Sequence, residues 1–417
     1  MNLIDRQQLS NGLTVVVEEI PGIRSISVGI WVGTGSRHET PEINGISHLI
    51  EHMLFKGTET RSAKELAEVF DHVGGQVNAF TAKEYTCFYA KVLDLHFRRA
   101  METLADMFFH SRFAPEELAK ERKVIVEEIR MYEDTPDELV HDLLASVVWG
   151  DHPLGFNILG TEQTLQTFER QNLVDYLSQR YVESNTVITV AGHVRTDEVM
   201  AIVEELFGGP WNRRAERVIT EPPTFMPERR TRVKQTEQEH FCLAVPGLPV
   251  DHEDLHAMIL LNNALGGTMS SRLFQSIREE KGMAYSIYSY HTAYRDTGLL
   301  GIYAGMAPEY TGEVVREVSR IFEDVAESGI TEGELERGKE QVKGSLMLSL
   351  ESTTSRMTRL GKNELLLGRH YTLDETLERI DAVTLEDVRR VAQCLRNAPA
   401  VAALGPVPGE ELERLFD

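Results

Sequence analysis

The chain is poor in the features that most quickly assign a protein to a class. Cysteine is nearly missing: Cys87, Cys242 and Cys394 are the only three in 417 residues, far apart and in no ligand spacing. That argues against a disulfide framework and a cysteine-based metal site, and fits free thiols in a reducing compartment. No apolar run approaches the ~20 residues needed to span a bilayer. The opening MNLIDRQQLSNGLTVVVEEI carries an early acidic residue and passes at once into strand-like alternation. It has the pattern of neither a secretory signal nor an Arg-rich transit peptide, so the expected location is the cytoplasm, with no membrane partner.

Positive charge is also scarce. The 43 basic residues stand against 66 acidic ones, a formal net charge of −23, which repels a phosphate backbone and argues against nucleic acid as a partner. The acidity either serves solubility alone or favours substrates of basic character. Nucleotide and nucleophile signatures are missing too: VGTGSR around Gly33 is too short for a dinucleotide fingerprint, Gly266-Gly267 leads into no G-K-[ST], and no G-x-S-x-G elbow occurs.

What is present is a globular composition, 41% hydrophobic and 26% charged, in a chain long enough for two domains. Residues 14–17 and 25–32 read as strands, being β-branched and bounded by Pro21-Gly22, Gly33 and Gly35. A helix is expected over 45–55. A second is expected over 62–73, opened by the capping box Ser62-x-x-Glu65 and closed at Gly74-Gly75. Residues 76–92 read as a hairpin turning at Ala82-Lys83-Glu84, and a long amphipathic helix starts near Pro115 and runs past Arg130.

Residues 208–234 hold four prolines and a cluster of arginines, which places a linker at 211–234 between domains 1–210 and 235–417. Beyond it the pattern repeats: a strand at 240–245, helices at 253–265 and 271–281, strands at 284–294 and 298–305. The expected fold is α+β, two similar domains, each a largely antiparallel sheet packed with helices.

The informative segment is His48 to Thr58, HLIEHMLFKGT. At about 100° per residue, His48, Glu51 and His52 share one narrow helical face, while Leu49, Ile50, Met53 and Leu54 form an apolar one. Two imidazoles one turn apart can both reach a zinc ion at about 2.0–2.1 Å, and a neighbouring carboxylate can take a proton from its bound water. By chance this pattern arises about 0.05 times in a chain of this composition, so alone it also fits a helix with surface histidines.

The surroundings resemble the inverted zinc motif H-x-x-E-H, and the whole chain is similar to the family of pitrilysin, insulin-degrading enzyme and the mitochondrial processing peptidase, above all its short bacterial members. The resemblance implies a third ligand about 76 residues beyond the second histidine, in an E-x6-E pattern on a long helix. ERKVIVEE then makes Glu128 the third ligand, with Glu127 its neighbour and competitor, and Glu121 the supporting carboxylate. It further implies one zinc per chain, with Glu51 as general base for a zinc-bound water.

GGQVNAFTAKEYT resembles the family's edge strand, where a peptide adds as an extra strand; Asn78, Ala79 and Phe80 would line it, and Phe55 would form an aromatic wall near the cleaved bond. SSRLFQSIREEKGMAYSIYSY resembles the family's arginine–tyrosine segment, which makes Arg278 and Tyr285 the groups that hold the substrate backbone and stabilise the tetrahedral intermediate.

The implied activity is a zinc-dependent endopeptidase acting on short or unfolded peptides in a closed chamber formed by half-clamshell chains. Because one chain carries both the zinc motif and the arginine–tyrosine pair, the expected assembly is a homodimer with shared sites, or a heterodimer with a related chain. The competing expectation is a non-catalytic scaffold or partner subunit, which the intact His48, Glu51, His52 and Glu128 argue against.

Overall fold

A computed structural model describes residues 4–211, 213 and 221–409 of the chain. These form two compact units: Met1–Arg130 with Phe156–Thr220 and Ser349–His370, and Met131–Gly155 with Glu221–Leu348 and Tyr371–Asp417.

The first unit holds strands β1 (Ile4–Gln8), β2 (Thr14–Glu19), β3 (Ser25–Val32), β4 (Gln76–Thr81), β5 (Thr86–Leu93) and β6 (Thr186–Gly192), in the order β1-β2-β6-β3-β5-β4. The second holds β7 (Arg229–Val233), β8 (Glu239–Pro246), β9 (Ala284–Ala293), β10 (Gly298–Met306) and β11 (Ala400–Gly405), in the order β7-β11-β8-β10-β9. Strand for strand, β2-β6-β3-β5-β4 and β7-β11-β8-β10-β9 follow the same path. Each has one parallel pair, β2 with β6 and β7 with β11, and is otherwise antiparallel. The α+β class is as expected, and the duplication shows in topology where it is faint in residue identity.

Central strands such as β3, SISVGIWV, are buried on both faces and so read as continuous apolar runs rather than alternating ones. One face of the first sheet, with Val15, Val17, Val28, Ile30 and Ile188, packs with Leu49, Ile50 and Met53 of helix Ile46–Leu54 and with helices Phe97–His110 and Thr196–Phe207. The other face presents Val16, Trp31, Cys87 and Val187 to Met357 and Leu360 of helix Thr353–Leu367. The Trp31 indole donates to Thr189 Oγ1 at 2.8 Å, and Gly361 lies so close to the ring that an added Cβ would stand 2.1 Å from it. The second sheet is built alike. Phe241, Leu243 and Ile302 pack on one side with helices Leu255–Asn262 and Thr311–Ser328, and Cys242, Ala244 and Ala402 on the other with helix Pro136–Trp149.

Each sheet therefore takes one covering helix from the other half of the sequence. This grouping differs from the consecutive blocks 1–210 and 235–417, because helical periodicity says which face is buried but not against what. Within the expected linker 211–234, residues 212 and 214–220 lie outside the described residues. Arg229–Val233 is no linker but β7, an Arg-rich edge strand paired with β11.

The helices expected over 253–265 and 271–281 also differ in detail. Leu255–Asn262 is α-helical and widens into a π turn at Asn263–Gly267, and Phe274–Glu280 is π-helical. At the widening, the Ser289 hydroxyl donates to the Asn262 carbonyl at 3.0 Å, and Gly266 packs against Ser289 more closely than a side chain would allow. Among the described residues no helix is long and apolar enough to cross a membrane.

Candidate metal centre

Helix Ile46–Leu54 buries Leu49, Ile50, Met53 and Leu54, which turns His48, Glu51 and His52 away from the core. The rings of His48 and His52 lie 4.6 Å apart. Helix Pro115–Glu133 brings Glu128 to them: its Oε2 stands 3.9 Å from His48 Nε2 and 3.6 Å from His52 Nε2. One ligand atom from each of the three residues lies within 4.8 Å of the others. Ligands about 2.0–2.1 Å from a tetrahedral zinc would stand about 3.3–3.4 Å from one another, so this donor set fits the ion with small adjustments. Glu127 does not take part. Its side chain is 68% exposed and pairs with Arg130 on its own helix.

The surroundings orient these groups. Glu121, one side of the same helix and almost fully buried, meets His52 Nδ1 at 3.0 Å and accepts from Lys56 Nζ at 2.9 Å. Burial pushes the Glu121 carboxyl up, but the bonds to His52 and Lys56 outweigh it and hold it below its usual range. An ionised Glu121 fixes His52 with Nε2 turned toward Glu128, the usual division of labour for a ligating imidazole.

Burial also pulls His52 down, and Glu121, Glu128 and Glu51 together raise it above its ordinary value. His48 has no such carboxylate on Nδ1, which is buried without a hydrogen-bond partner among the described residues. Burial, then the charge of His52, pull it down to about 3. His48 is thus neutral and ready to coordinate at any ordinary pH.

Glu51 accepts a 2.6 Å hydrogen bond from Thr81 Oγ1. Burial raises its carboxyl pKa and the Thr81 bond opposes the rise, the balance expected of a base poised for proton transfer.

Thr81 ends β4, which is an edge of its sheet and so offers free main-chain groups. Side chains alternate along it. Ala79 joins the core on the side of helix Ile46–Leu54, whereas Phe80 turns to the opposite face against Trp31, Tyr85 and Tyr89. Asn78 is exposed and accepts from the Ala79 N–H. Phe55 caps the C-terminus of the metal helix and packs, half-buried, on the core.

Thr81 and Lys56 escaped the sequence reading. Each had a faint signal: Thr81 follows Ala79 by the strand period of two, and Lys56 follows His52 by one helical turn.

Arg278 and Tyr285 belong to the second unit and meet each other there. The Arg278 guanidinium lies 4.8 Å from the Phe274 ring and 5.6 Å from that of Tyr285, and Tyr285 is 76% exposed at the start of β9.

Residues 14–162 match the model of the insulinase peptidases (peptidase family M16), and residues 167–342 that of the peptidase M16 inactive domain. A Bacillus subtilis protein named as the uncharacterized zinc protease YmxG is 52% identical over 97% of this chain and 98% of its own length. An uncharacterized zinc protease of Streptomyces coelicolor is 41% identical over 99% of this chain and 92% of its own. A crystal structure of a protease from Helicobacter pylori, 22% identical, has the same fold, with a TM-score of 0.91 over 97% of this chain and 100% of that one.

Proposed function

The chain belongs to the insulinase family of peptidases, M16, and on that premise we propose that it is a zinc-dependent endopeptidase for short or unfolded peptides. One observation carries the reading: Nε2 of His48, Nε2 of His52 and Oε2 of Glu128 converge, with the carboxylate of Glu51 on the same helical turn as the two imidazoles. Zinc held there supplies Lewis acidity, which makes water acidic near neutral pH and polarises a peptide carbonyl.

The chain's own residues do the rest. Glu51 takes the proton of the attacking water and returns it to the leaving amine. Glu121 keeps His52 in the ligating orientation. The free edge of β4 receives the substrate as an added strand ending beside Glu51. A purely structural role would leave this donor set and its supports without a use.

The deciding comparison is wild type against Glu51→Gln for both metal content and peptide hydrolysis. Stoichiometric zinc in both and turnover only in the wild type is the expected result. Metal-free wild type, or an active Glu51→Gln, would refute the assignment.

We further propose a homodimer with two composite sites, the Arg278 and Tyr285 of one subunit serving the zinc of the other, because one chain carries both sets. His48→Ala chains mixed with Tyr285→Phe chains should then regain activity, and should not if each site is internal or the partner is a different chain. A closed chamber would select peptides by size, and the charge of −23 would favour basic ones. Equal cleavage of a basic peptide and its acidic counterpart at low salt would remove that preference. Three separate free cysteines fit action in the cytoplasm.

A further inference from the structure

We propose that Arg37 and Glu39 are the two arms of a brace that sets the substrate-binding edge strand against the metal helix, which makes both positioning residues for hydrolysis. The inference rests on the peptidase reading above. Neither residue touches the metal ligands, and both are charged side chains only 2% exposed, two positions apart.

The first arm grips the β4–β5 turn. Gly35 lies so near the Ala82 carbonyl that an added Cβ would stand 2.1 Å from it. Ser36 and Arg37 donate their N–H groups to the carbonyls of Ala82 and Lys83 at 3.3 and 2.8 Å. The Arg37 guanidinium then donates to buried Glu84 at 2.7 Å. The gripped turn begins directly after Thr81, the residue bonded to Glu51.

The second arm grips the metal helix at its N-terminus. Gly45, the capping residue, has φ +97° and no side chain with which to cap the first N–H groups. Glu39 supplies what it lacks: Oε2 accepts from the Gly45 N–H at 2.8 Å and from Asn44 Nδ2 at 2.9 Å, and Oε1 accepts from the Ser47 N–H at 2.9 Å. A carboxylate at a helix N-terminus satisfies orphan donors and complements the helix dipole. Ser47 directly precedes His48, and its hydroxyl is held by Tyr176 OH at 3.0 Å, so the helix is fixed in rotation where it presents its first imidazole. One five-residue segment thus holds the end of the edge strand with one side chain and the start of the metal helix with the other.

The two arms predict separable defects, which buried residues serving stability alone would not produce. Glu39→Gln turns an N–H donor toward an N–H donor, and should weaken zinc severalfold, less than the about 10–100-fold lost with a group bonded to a ligand itself. KM of the zinc-saturated variant should stay near wild type. Arg37→Met combined with Glu84→Met removes the buried pair without stranding a charge, and should raise KM for an extended peptide severalfold while zinc affinity is kept. Affinity is read by chelator competition on protein shown folded by circular dichroism, and KM at saturating zinc.

If Glu39→Gln does not fold, Glu39→Asp, which keeps the charge on a shorter arm, should fold and still bind zinc more weakly than wild type. Wild-type zinc affinity in every folded Glu39 variant, wild-type KM in the Arg37→Met/Glu84→Met variant, or zinc affinity and KM moving together in the variants of both arms, overturns the brace. Wild type that binds no zinc would instead sink the peptidase reading on which it rests.

Discussion

The sheets of the two units follow the same strand path, and the units part company at one helix. In the first, the helix that follows β3 turns two imidazoles and a carboxylate away from its apolar side. In the second, helix Leu255–Asn262 follows β8 with the sequence LHAMILLN, carries His256 alone and no acidic residue, and runs into a π turn. The difference teaches that the scaffold is indifferent to the chemistry. The same strand path supports a metal centre where one helical face is polar, and only a packed core where it is not. The match of residues 167–342 to a domain described as inactive agrees with this.

Four experiments bear on the comparison. The largest effect is expected at the ligand itself: Glu128→Gln should lose zinc by more than the roughly 100-fold typical of an orienting contact, while the adjacent Glu127→Gln should bind like wild type in chelator competition. A metal-poor Glu127→Gln would mean that the first unit's site is built otherwise.

Next come the exchanged helices. Leu360→Ala and Leu144→Ala each empty a position against one of the two sheets, each about 1% exposed, and each should cost about 2–5 kcal/mol in urea unfolding. A large loss for one alone would show that the two coverings are not equivalent.

A smaller effect depends on pH. β8 opens with buried Glu239 where β3 opens with half-buried Ser25; burial pushes the Glu239 carboxyl up to about 7, the Val407 N–H opposing. Its folded pKa exceeds the ordinary 4.5, so the folded state holds the proton more tightly, and stability falls as pH rises from about 4.5 to about 7. Glu239→Gln should therefore match wild type below that window and gain at most about 3 kcal/mol above it, measured by urea unfolding across the range. A pH-independent difference would deny the second unit this titrating group.

The smallest effect concerns caps present in both units. Ser62→Ala and Thr384→Ala each remove a capping box and should cost about 1 kcal/mol, seen as small matched falls in melting temperature. Unequal falls would show that the units differ in more than their chemistry.

Local features were legible in the sequence. The metal helix, the Ser62 box, the β4–β5 hairpin and the long helix from Pro115 all fall where periodicity and turn chemistry put them. Glu128 was legible only through family resemblance, because no local rule joins a carboxylate to a histidine on another helix. The contacts of Thr81, Lys56, Arg37 and Glu39 were not legible, since each depends on two segments meeting in space. Strands β6 and β11, each inserted beside strands far earlier in the chain, and the exchange of helices Pro136–Trp149 and Thr353–Leu367 were hidden for the same reason.

That exchange bears on the order in which the protein can be made. Synthesis runs from the amino end, so the strands carrying Val16, Trp31 and Val187 leave the ribosome long before Met357 and Leu360 exist to dry them. That apolar sheet surface waits for a covering helix made about 170 to 340 residues after its own strands, wet and open to misassociation in the interval. A nascent chain stalled before helix Thr353–Leu367 should bind chaperones through that surface even though its metal helix is already complete.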